Sequence, residues 1–312
     1  MKNFKELRIV FMGTPEFAVA SLDALLKAGA NIVGVITVPD KASGRGMHLS
    51  QSAVKKYAVE NNLPLLQPVK LKDEVFLDEL KALNADIQIV VAFRMLPVVV
   101  WDMPPMGTIN LHGSLLPQYR GAAPINWAVI NGEKQTGVTT FKLQHAIDTG
   151  NILLQQEFPI EEKDTAGTVH DKMKSIGANL LVQTLKGLSN SSLSERPQAD
   201  FDERSLKHAP KIFTQTCQID FSKTVEEVYD LIRGLSPFPA AFTFLNEKVL
   251  KIFFAEKENC PPEIVCGAFL TDGKSFLKYA CGNGFIHLKD IQLEGKKRML
   301  IADFLRGYRF DK

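Results

Sequence analysis

Short apolar runs, too brief for helices, recur through the first two-thirds of the chain and alternate with stretches of helical spacing. Residues 7–12 (Leu-Arg-Ile-Val-Phe-Met) stop at Gly13-Thr14-Pro15, and Phe17, Ala20, Leu22, Leu25 and Leu26 then repeat at helical spacing as far as Gly29. The same alternation predicts strands at 32–38, 65–66 and 87–93 and helices over 50–61 and 73–83. The run at 87–93 is apolar without interruption, as expected of a strand covered on both faces. Strands joined through helices cross over in the right-handed sense, which restricts the chain to an α/β class with an open, mainly parallel, Rossmann-like sheet. Such sheets bind ligands beyond the carboxyl ends of their strands.

The rhythm breaks at residues 187–210, which hold Ser-Asn-Ser-Ser-Leu-Ser at 189–194, two prolines and little apolar periodicity. Beyond them one helix (225–235) precedes short runs at 242–245, 249–254, 265–270, 276–280 and 285–293, separated by Gly, Asn and Asp. That texture predicts a small antiparallel β-barrel of OB-like type. A chain of 312 residues also exceeds the usual single domain. The expected division is 1–189, a linker at 190–210, and 211–312.

Composition narrows the function classes. Residues 1–202 carry 20 basic and 21 acidic side chains and residues 203–312 carry 17 and 14, net −1 against +3, which permits an RNA partner without requiring one. The four cysteines fall in the last third without C-x-x-C spacing, and no histidine lies at matching distance, so no metal is expected. The first eight residues lack the apolar stretch of a signal peptide, and no run is long enough for a membrane helix. The expected setting is the reducing cytoplasm, with no membrane partner.

The most informative string is 107–124, Gly-Thr-Ile-Asn-Leu-His-Gly-Ser-Leu-Leu-Pro-Gln-Tyr-Arg-Gly-Ala-Ala-Pro. Strand alternation turns Asn110 and His112 to one face, and the strand stops at Gly113. An amide and an imidazole thus stand together at a strand's carboxyl end, followed by a loop and a helical run after Ala122. A strand at 138–143 then leads into Gln-His-Ala-Ile-Asp-Thr-Gly, with Asp148 in a tight reversal. Taken singly, a histidine ending a strand or an aspartate in a turn is more often structural than catalytic. The length and irregularity of the whole string shift that balance.

Asn110-Leu-His112-Gly-Ser-Leu-Leu-Pro117 followed by Asp148-Thr-Gly150 resembles the formyltetrahydrofolate-dependent transformylases. Arg120-Gly-Ala-Ala-Pro124, Phe11-Met-Gly-Thr-Pro-Glu-Phe-Ala18, Pro39-Asp-Lys-Ala-Ser-Gly-Arg-Gly46, Ile219-Asp-Phe221 and Ser236-Pro-Phe-Pro-Ala240 are similar to the methionyl-tRNA branch of that family. The resemblance implies 10-formyltetrahydrofolate as co-substrate and the amino group of methionine on initiator Met-tRNA as acceptor. It makes Asn110, His112 and Asp148 the catalytic residues, and the loop Ser114, Leu115, Leu116 and Pro117 the folate contact. It also implies that Lys41 and Arg45 reach the tRNA acceptor stem, in a protein acting as a monomer. One departure stands out. The family commonly reads Ala-Tyr-Gly, two residues and Leu-Pro where this chain has Ala92-Phe-Arg-Met-Leu-Pro97, one residue shorter and with Arg94 in a loop expected to line the pterin pocket.

The chemistry is consistent with these residues. Formyl transfer to an amine develops an oxyanion, for which Asn110 is a neutral donor. His112 relays protons, and a carboxylate at Asp148 favours its charged form. The Lys289 and Lys296-Lys297-Arg298 positions are a candidate phosphate-tracking surface. A dinucleotide-dependent dehydrogenase is disfavoured, since only one glycine follows the first strand where G-x-G-x-x-G is needed. An amino-sugar or glycinamide ribonucleotide acceptor leaves the appended barrel without a task. A purely RNA-binding module leaves the three polar residues unexplained, and aromatics interleaved on a basic surface are not expected.

Overall fold

The computed structural model describes residues 2–43, 48–198 and 203–310. The chain divides into two compact units, each assembled from three segments. The first comprises residues 1–120, 137–157 and 171–207; the second comprises 121–136, 158–170 and 208–312.

The elements run β1 (Arg8–Gly13), α1 (Glu16–Lys27), β2 (Asn31–Ile36), β3 (Lys41–Ser43), β4 (His48–Ser50), α2 (Ala53–Glu60), β5 (Leu65–Leu66), α3 (Glu74–Ala82) and β6 (Ile87–Val91). They continue with α4 (Val98–Trp101), β7 (Thr108–His112), β8 (Arg120–Gly121), α5 (Pro124–Ile130), β9 (Gln135–Lys142), β10 (Ile152–Pro159) and α6 (Ala166–Ser189). Then come β11 (His208–Ala209), α7 (Thr214–Cys217), α8 (Val225–Leu235), β12 (Ala241–Leu245), β13 (Lys248–Glu258), β14 (Phe269–Thr271), β15 (Leu277–Ala280), β16 (Phe285–Leu293), β17 (Met299–Leu300) and α9 (Ile301–Gly307).

Among the described residues, seven strands form one sheet in the order β10-β9-β7-β6-β1-β2-β5. Its left-to-right core is parallel: β1 pairs with both β2 and β6, and β6 pairs with β7, all in the same sense. The pairing of β7 with β9 is antiparallel, so the sheet is mixed at that side. Ile87 to Val91 are all buried, as a strand covered on both faces requires. The first-unit core includes Val10, Met12, Ile36, Leu80 and Val90 beneath α3. On the same sheet the carboxyl-side part of α6 approaches closely, Gly177 lying where an added Cβ would meet Leu111 at 2.9 Å.

Local sequence explains most element ends. The helix expected over 50–61 starts at Ala53 because the Ser52 hydroxyl accepts from the Lys55 N–H at 3.0 Å, capping it, while Ser50 closes β4. The strand expected to reach residue 93 ends at Val91, since Ala92 turns into the left-handed region at φ 47°. The stretch expected to serve as a linker is tied to the sheet: Arg196 and Ile152 exchange backbone hydrogen bonds of 2.8 Å, and Glu195 accepts from Lys142 Nζ at 3.1 Å.

In the second unit the strands run β12-β13-β16-β15-β14, with β17 paired to β16, and each of these pairings is antiparallel. This is the curled, small-barrel sheet that the texture of the sequence predicts. Its strand expected at 265–270 forms only from Phe269, because the chain reverses at Gly267 with φ 85°. Helix α8 closes one end, capped by reciprocal Thr224 and Glu227 hydrogen bonds, and packs Val228, Ile232 and Leu235 against Ile252, Leu277 and Ile291.

The junction of β1 and α1 leaves no room for a side chain at Gly13, where a Cβ would lie 2.5 Å from the Ala18 Cβ and 3.1 Å from the Val91 carbonyl oxygen. Replacing Gly13 by Val is expected to cost about 1–3 kcal/mol through overpacking. Urea unfolding followed by circular dichroism measures it, and an unchanged midpoint would show that the junction relaxes freely.

Candidate functional site

The site is built at the carboxyl end of β7, in the first unit. Asn110 and His112 lie two residues apart on this strand, Asn110 half-buried and His112 buried at 7% exposure. His112 stands in register with Thr139 of β9, and Asn110 with Phe141. Phe141, fully buried, presents its ring to the imidazole edge-on at 6.4 Å. That packing holds the ring plane upright at the strand end.

The two nitrogens of His112 have different surroundings. Nε2 lies 2.9 Å from the Tyr119 carbonyl oxygen, which only accepts, so Nε2 carries a proton. Nδ1, the other ring nitrogen, faces Asp148 Oδ2 at 3.9 Å. Both side chains are shielded, at 8% and 16% exposure, so the attraction between a protonated ring and the carboxylate is weakly screened. Among the described residues no side-chain or backbone group hydrogen-bonds the Asn110 amide, which leaves its N–H groups available to a ligand.

Asp148 occupies the turn between β9 and β10 at φ 55°, and Tyr119 is likewise left-handed at φ 60°. Left-handed backbone at non-glycine residues persists only where surrounding contacts impose it. The contact at Asp148 comes from Gln198, buried at 5% exposure, whose Nε2 donates to the Asp148 and Gly150 carbonyls at 3.1 and 2.6 Å. Its Oε1 accepts from Arg120 Nε and Nη2 at 3.2 and 2.8 Å. Gly150 itself can have no side chain, since a Cβ would sit 1.7 Å from the Lys142 carbonyl oxygen.

The loop 114–117 is held from beneath by one hydroxyl. Thr139 Oγ1, fully buried, donates to the Ser114 carbonyl at 2.6 Å and accepts from Leu116 N at 3.1 Å and Gln155 Nε2 at 3.0 Å. Gln155 Nε2 also reaches the Leu116 carbonyl at 2.9 Å, and Ser114 Oγ donates to the Gln118 carbonyl at 2.6 Å. Ser114, Leu116 and Pro117 are consequently buried and Leu115 half-buried, so the loop presents mainly its backbone.

Arg94 does not point a free charge into the site. Its Nη1 and Nη2 donate to the Val69 and Pro68 carbonyls at 2.9 and 2.5 Å, which ties the shortened 92–97 loop to the segment after β5. Lys41 is exposed at the base of the β3–β4 hairpin, where it pairs with Ser50, and Arg45 lies outside the described residues. Beside Lys41, Lys55 bonds Asp40 at 2.5 Å and holds its carboxyl below the usual range. The catalytic candidates Asn110, His112 and Asp148 are therefore brought together with the 114–117 loop in one unit. Thr139, Gln155, Gln198 and Arg120 were not singled out for roles by sequence reasoning. Gln198 follows Pro197 in a polar stretch and carries no periodic signal, while Thr139 reads simply as a strand residue.

Among the described residues no group of three His, Cys, Asp or Glu side chains gathers to hold a metal ion, and no helix is long and apolar enough to cross a membrane.

Residues 7–185 match the family described as formyl transferase, and residues 211–309 match the formyl transferase C-terminal domain. A methionyl-tRNA formyltransferase of Parabacteroides distasonis is 55% identical over 313 residues, covering 98% of this chain and 97% of the relative. One from Flavobacterium johnsoniae is 51% identical over 310 residues and covers 98% of each. Among solved structures, an N-formyltransferase from Helicobacter canadensis in complex with folinic acid and dTDP-3-aminofucose superposes with a TM-score of 0.68 at 23% identity. That match covers 90% of this chain and 98% of the other, and it speaks for the fold alone.

Replacing Thr139 by Val keeps the volume but strands the Ser114 carbonyl and the Leu116 N–H without their partner. The expected cost is about 1–3 kcal/mol per unsatisfied group. Thermal unfolding and the Michaelis constant for the formyl donor are the readouts. A variant with wild-type values of both would mean that the loop does not depend on this hydroxyl.

Proposed function

Since the chain belongs to the formyl transferase family, on its methionyl-tRNA formyltransferase branch, we propose that it transfers the formyl group of 10-formyltetrahydrofolate to the methionine amino group of initiator Met-tRNA. The observation that carries this reading is the convergence of Asn110, His112 and Asp148 at one strand end, beside a loop whose backbone is fixed from below. Chains named for this activity in Parabacteroides distasonis and Flavobacterium johnsoniae share half or more of their residues with it over nearly their whole length.

The donor set suits the chemistry. The half-buried Asn110 amide donates to the oxygen on which negative charge develops as the amine adds to the formyl carbon. His112 Nδ1 accepts the proton that the amine sheds, with Nε2–H fixed on the Tyr119 carbonyl. The imidazolium so formed is stabilised by Asp148 at 3.9 Å and returns the proton to the departing folate nitrogen. The amine attacks directly, and no covalent bond to the protein is required. The formyl donor supplies the carbon, and the backbone-lined 114–117 loop with its buried leucine fits a flat heterocycle held by main-chain groups.

The same reading assigns Ser114, Leu115, Leu116 and Pro117 to folate, and Lys41 and Arg45 to the acceptor stem of the tRNA. It places the catalytic residues in 1–189 and a tRNA-binding part in 211–312, joined by 190–210, a division supported by the two family matches at 7–185 and 211–309. The protein acts as a monomer in the cytoplasm.

His112→Ala and Asn110→Ala are each expected to lower formylation of Met-tRNA by roughly 10²–10³-fold, the effect of losing an oxyanion-directed donor. Asp148→Asn should be comparably damaging, since it removes the charge facing Nδ1. Turnover with purified initiator Met-tRNA and formyl-folate measures all three, and near-wild-type turnover in any of them removes that residue from the mechanism. Failure of the intact protein with Met-tRNA, beside activity on a nucleotide amino sugar, would replace the acceptor.

Arg45→Ala, in turn, should raise the Michaelis constant for tRNA while leaving that for the folate donor within about twofold, because phosphate contacts are local. Equal losses for both substrates would contradict a separate tRNA-contacting role.

A further inference from the structure

We infer that the outer face of β12–β13 and the cavity beside it form a stacking platform for unpaired nucleotides, an inference that rests on the tRNA reading above and names the part of the ligand this face takes. All of its residues belong to the second unit.

Of the basic residues expected to track phosphate in this unit, Lys289 and Arg298 are neutralised, while Lys296 and Lys297 are exposed and in no ion pair with another described residue. Lys289 pairs with Glu256 at 2.7 Å, and Arg298 is forked onto Asp290 with its closest contact at 2.6 Å. Lys257 and Lys278 are likewise paired with Glu162 and Glu258, each at 2.7 Å. A phosphate competing for these cations would have to displace a carboxylate.

Lys211 and Lys251 are differently placed. Both line a cavity of about 540 Å³ whose wall contains no Asp or Glu, and neither is in an ion pair with another described residue. The cavity is otherwise largely apolar and is bordered by Phe213, Phe238 and Phe242. Phe213 and Phe238 are exposed at 58% and 81%, values that a soluble surface rarely gives to two neighbouring phenylalanines without a ligand.

The strand register extends this surface. Leu250 and Ile252 face the core, so Val249 and Lys251 face outward, and the cross-strand partners of these two are Phe244 and Phe242. Phe242 and Phe244 meet edge-to-face at 5.8 Å, and Phe244 is exposed at 49%. Aromatic rings and lysines therefore alternate over one face, as the linear sequence did not reveal, because Phe213, Phe238 and the strand pair come from three separate stretches. Base faces stack on such rings irrespective of sequence, and the adjacent ammonium groups meet the backbone phosphates. A protein partner would find no acceptor carboxylate here and two uncompensated charges.

The test uses a fluorescein-labelled single-stranded heptaribonucleotide ending in CCA, with binding to the intact chain followed by anisotropy. Phe238→Ala should weaken binding by roughly 5–100-fold, the range for losing one base–aromatic stack, while Phe238→Trp retains it. Lys251→Gln should lower the slope of log affinity against log salt by about 0.7, as one phosphate contact on a single strand does. Both side chains lie at the surface, so matching unfolding midpoints establish that the variants fold. Wild-type affinity in Phe238→Ala, an unchanged salt slope in Lys251→Gln, or an equal loss for a blunt RNA duplex would each overturn the platform. The probe carries neither amino acid nor formyl donor. Formylation without a Phe238 effect therefore sinks this inference alone, and oligonucleotide binding without formylation sinks only the proposed reaction.

Discussion

The antiparallel pairing of β7 with β9 is the constraint from which the site follows. It sets Thr139 opposite His112, so a fully buried hydroxyl lies under the point where the strand ends and the 114–117 loop begins. A buried hydroxyl must find partners, and here it satisfies the Ser114 carbonyl and the Leu116 N–H together. The same pairing carries the chain from β9 into the reversal at Asp148, which brings that carboxylate back to the imidazole. A parallel neighbour at this position would have needed a long crossover and would have delivered its far end elsewhere.

Around that pairing, polar groups are fixed in a hierarchy. The side chains proposed to exchange protons or donate to a ligand, His112 and Asn110, sit at the strand end. Those that fix the backbone are engaged by other side chains: buried Thr139 by half-buried Gln155 beneath the loop, and buried Gln198 by half-buried Arg120 beneath the Asp148 turn. The left-handed turn at Asp148 is held through its carbonyl by Gln198, and that at Tyr119 through its N–H, which donates to the Lys207 carbonyl at 2.6 Å. Rigidity at the support and availability at the reacting groups are what preorganised electrostatic catalysis requires.

The second unit follows a different logic. Its cations are divided: some are paired, such as Lys289 with Glu256 and Arg298 with Asp290, while others, Lys296 and Lys297 among them, are in no ion pair with another described residue. Lys211 and Lys251, also outside any ion pair with a described residue, line the cavity bordered by Phe213, Phe238 and Phe242, the face proposed to stack unpaired nucleotides.

The sequence by itself determined the alternating strands and helices, the change of texture past residue 187, and the placement of Asn110 and His112 on one side of a strand end. Those features are local, written in periodicities of two and 3.6 and in turn residues, so they need no knowledge of distant chain. Even the departure at Arg94 was visible as a charge in an unexpected loop. What it does, donating to the Pro68 and Val69 carbonyls, was not. Tertiary structure alone decided the partners that join remote positions: Gln198 under Asp148, fifty residues away, and Phe238 beside Lys251 and Phe242. Hydrogen bonds and ring contacts between distant segments leave no periodic trace in the chain. They exist only once the sheets have fixed which strand ends and which loops share the same few ångströms.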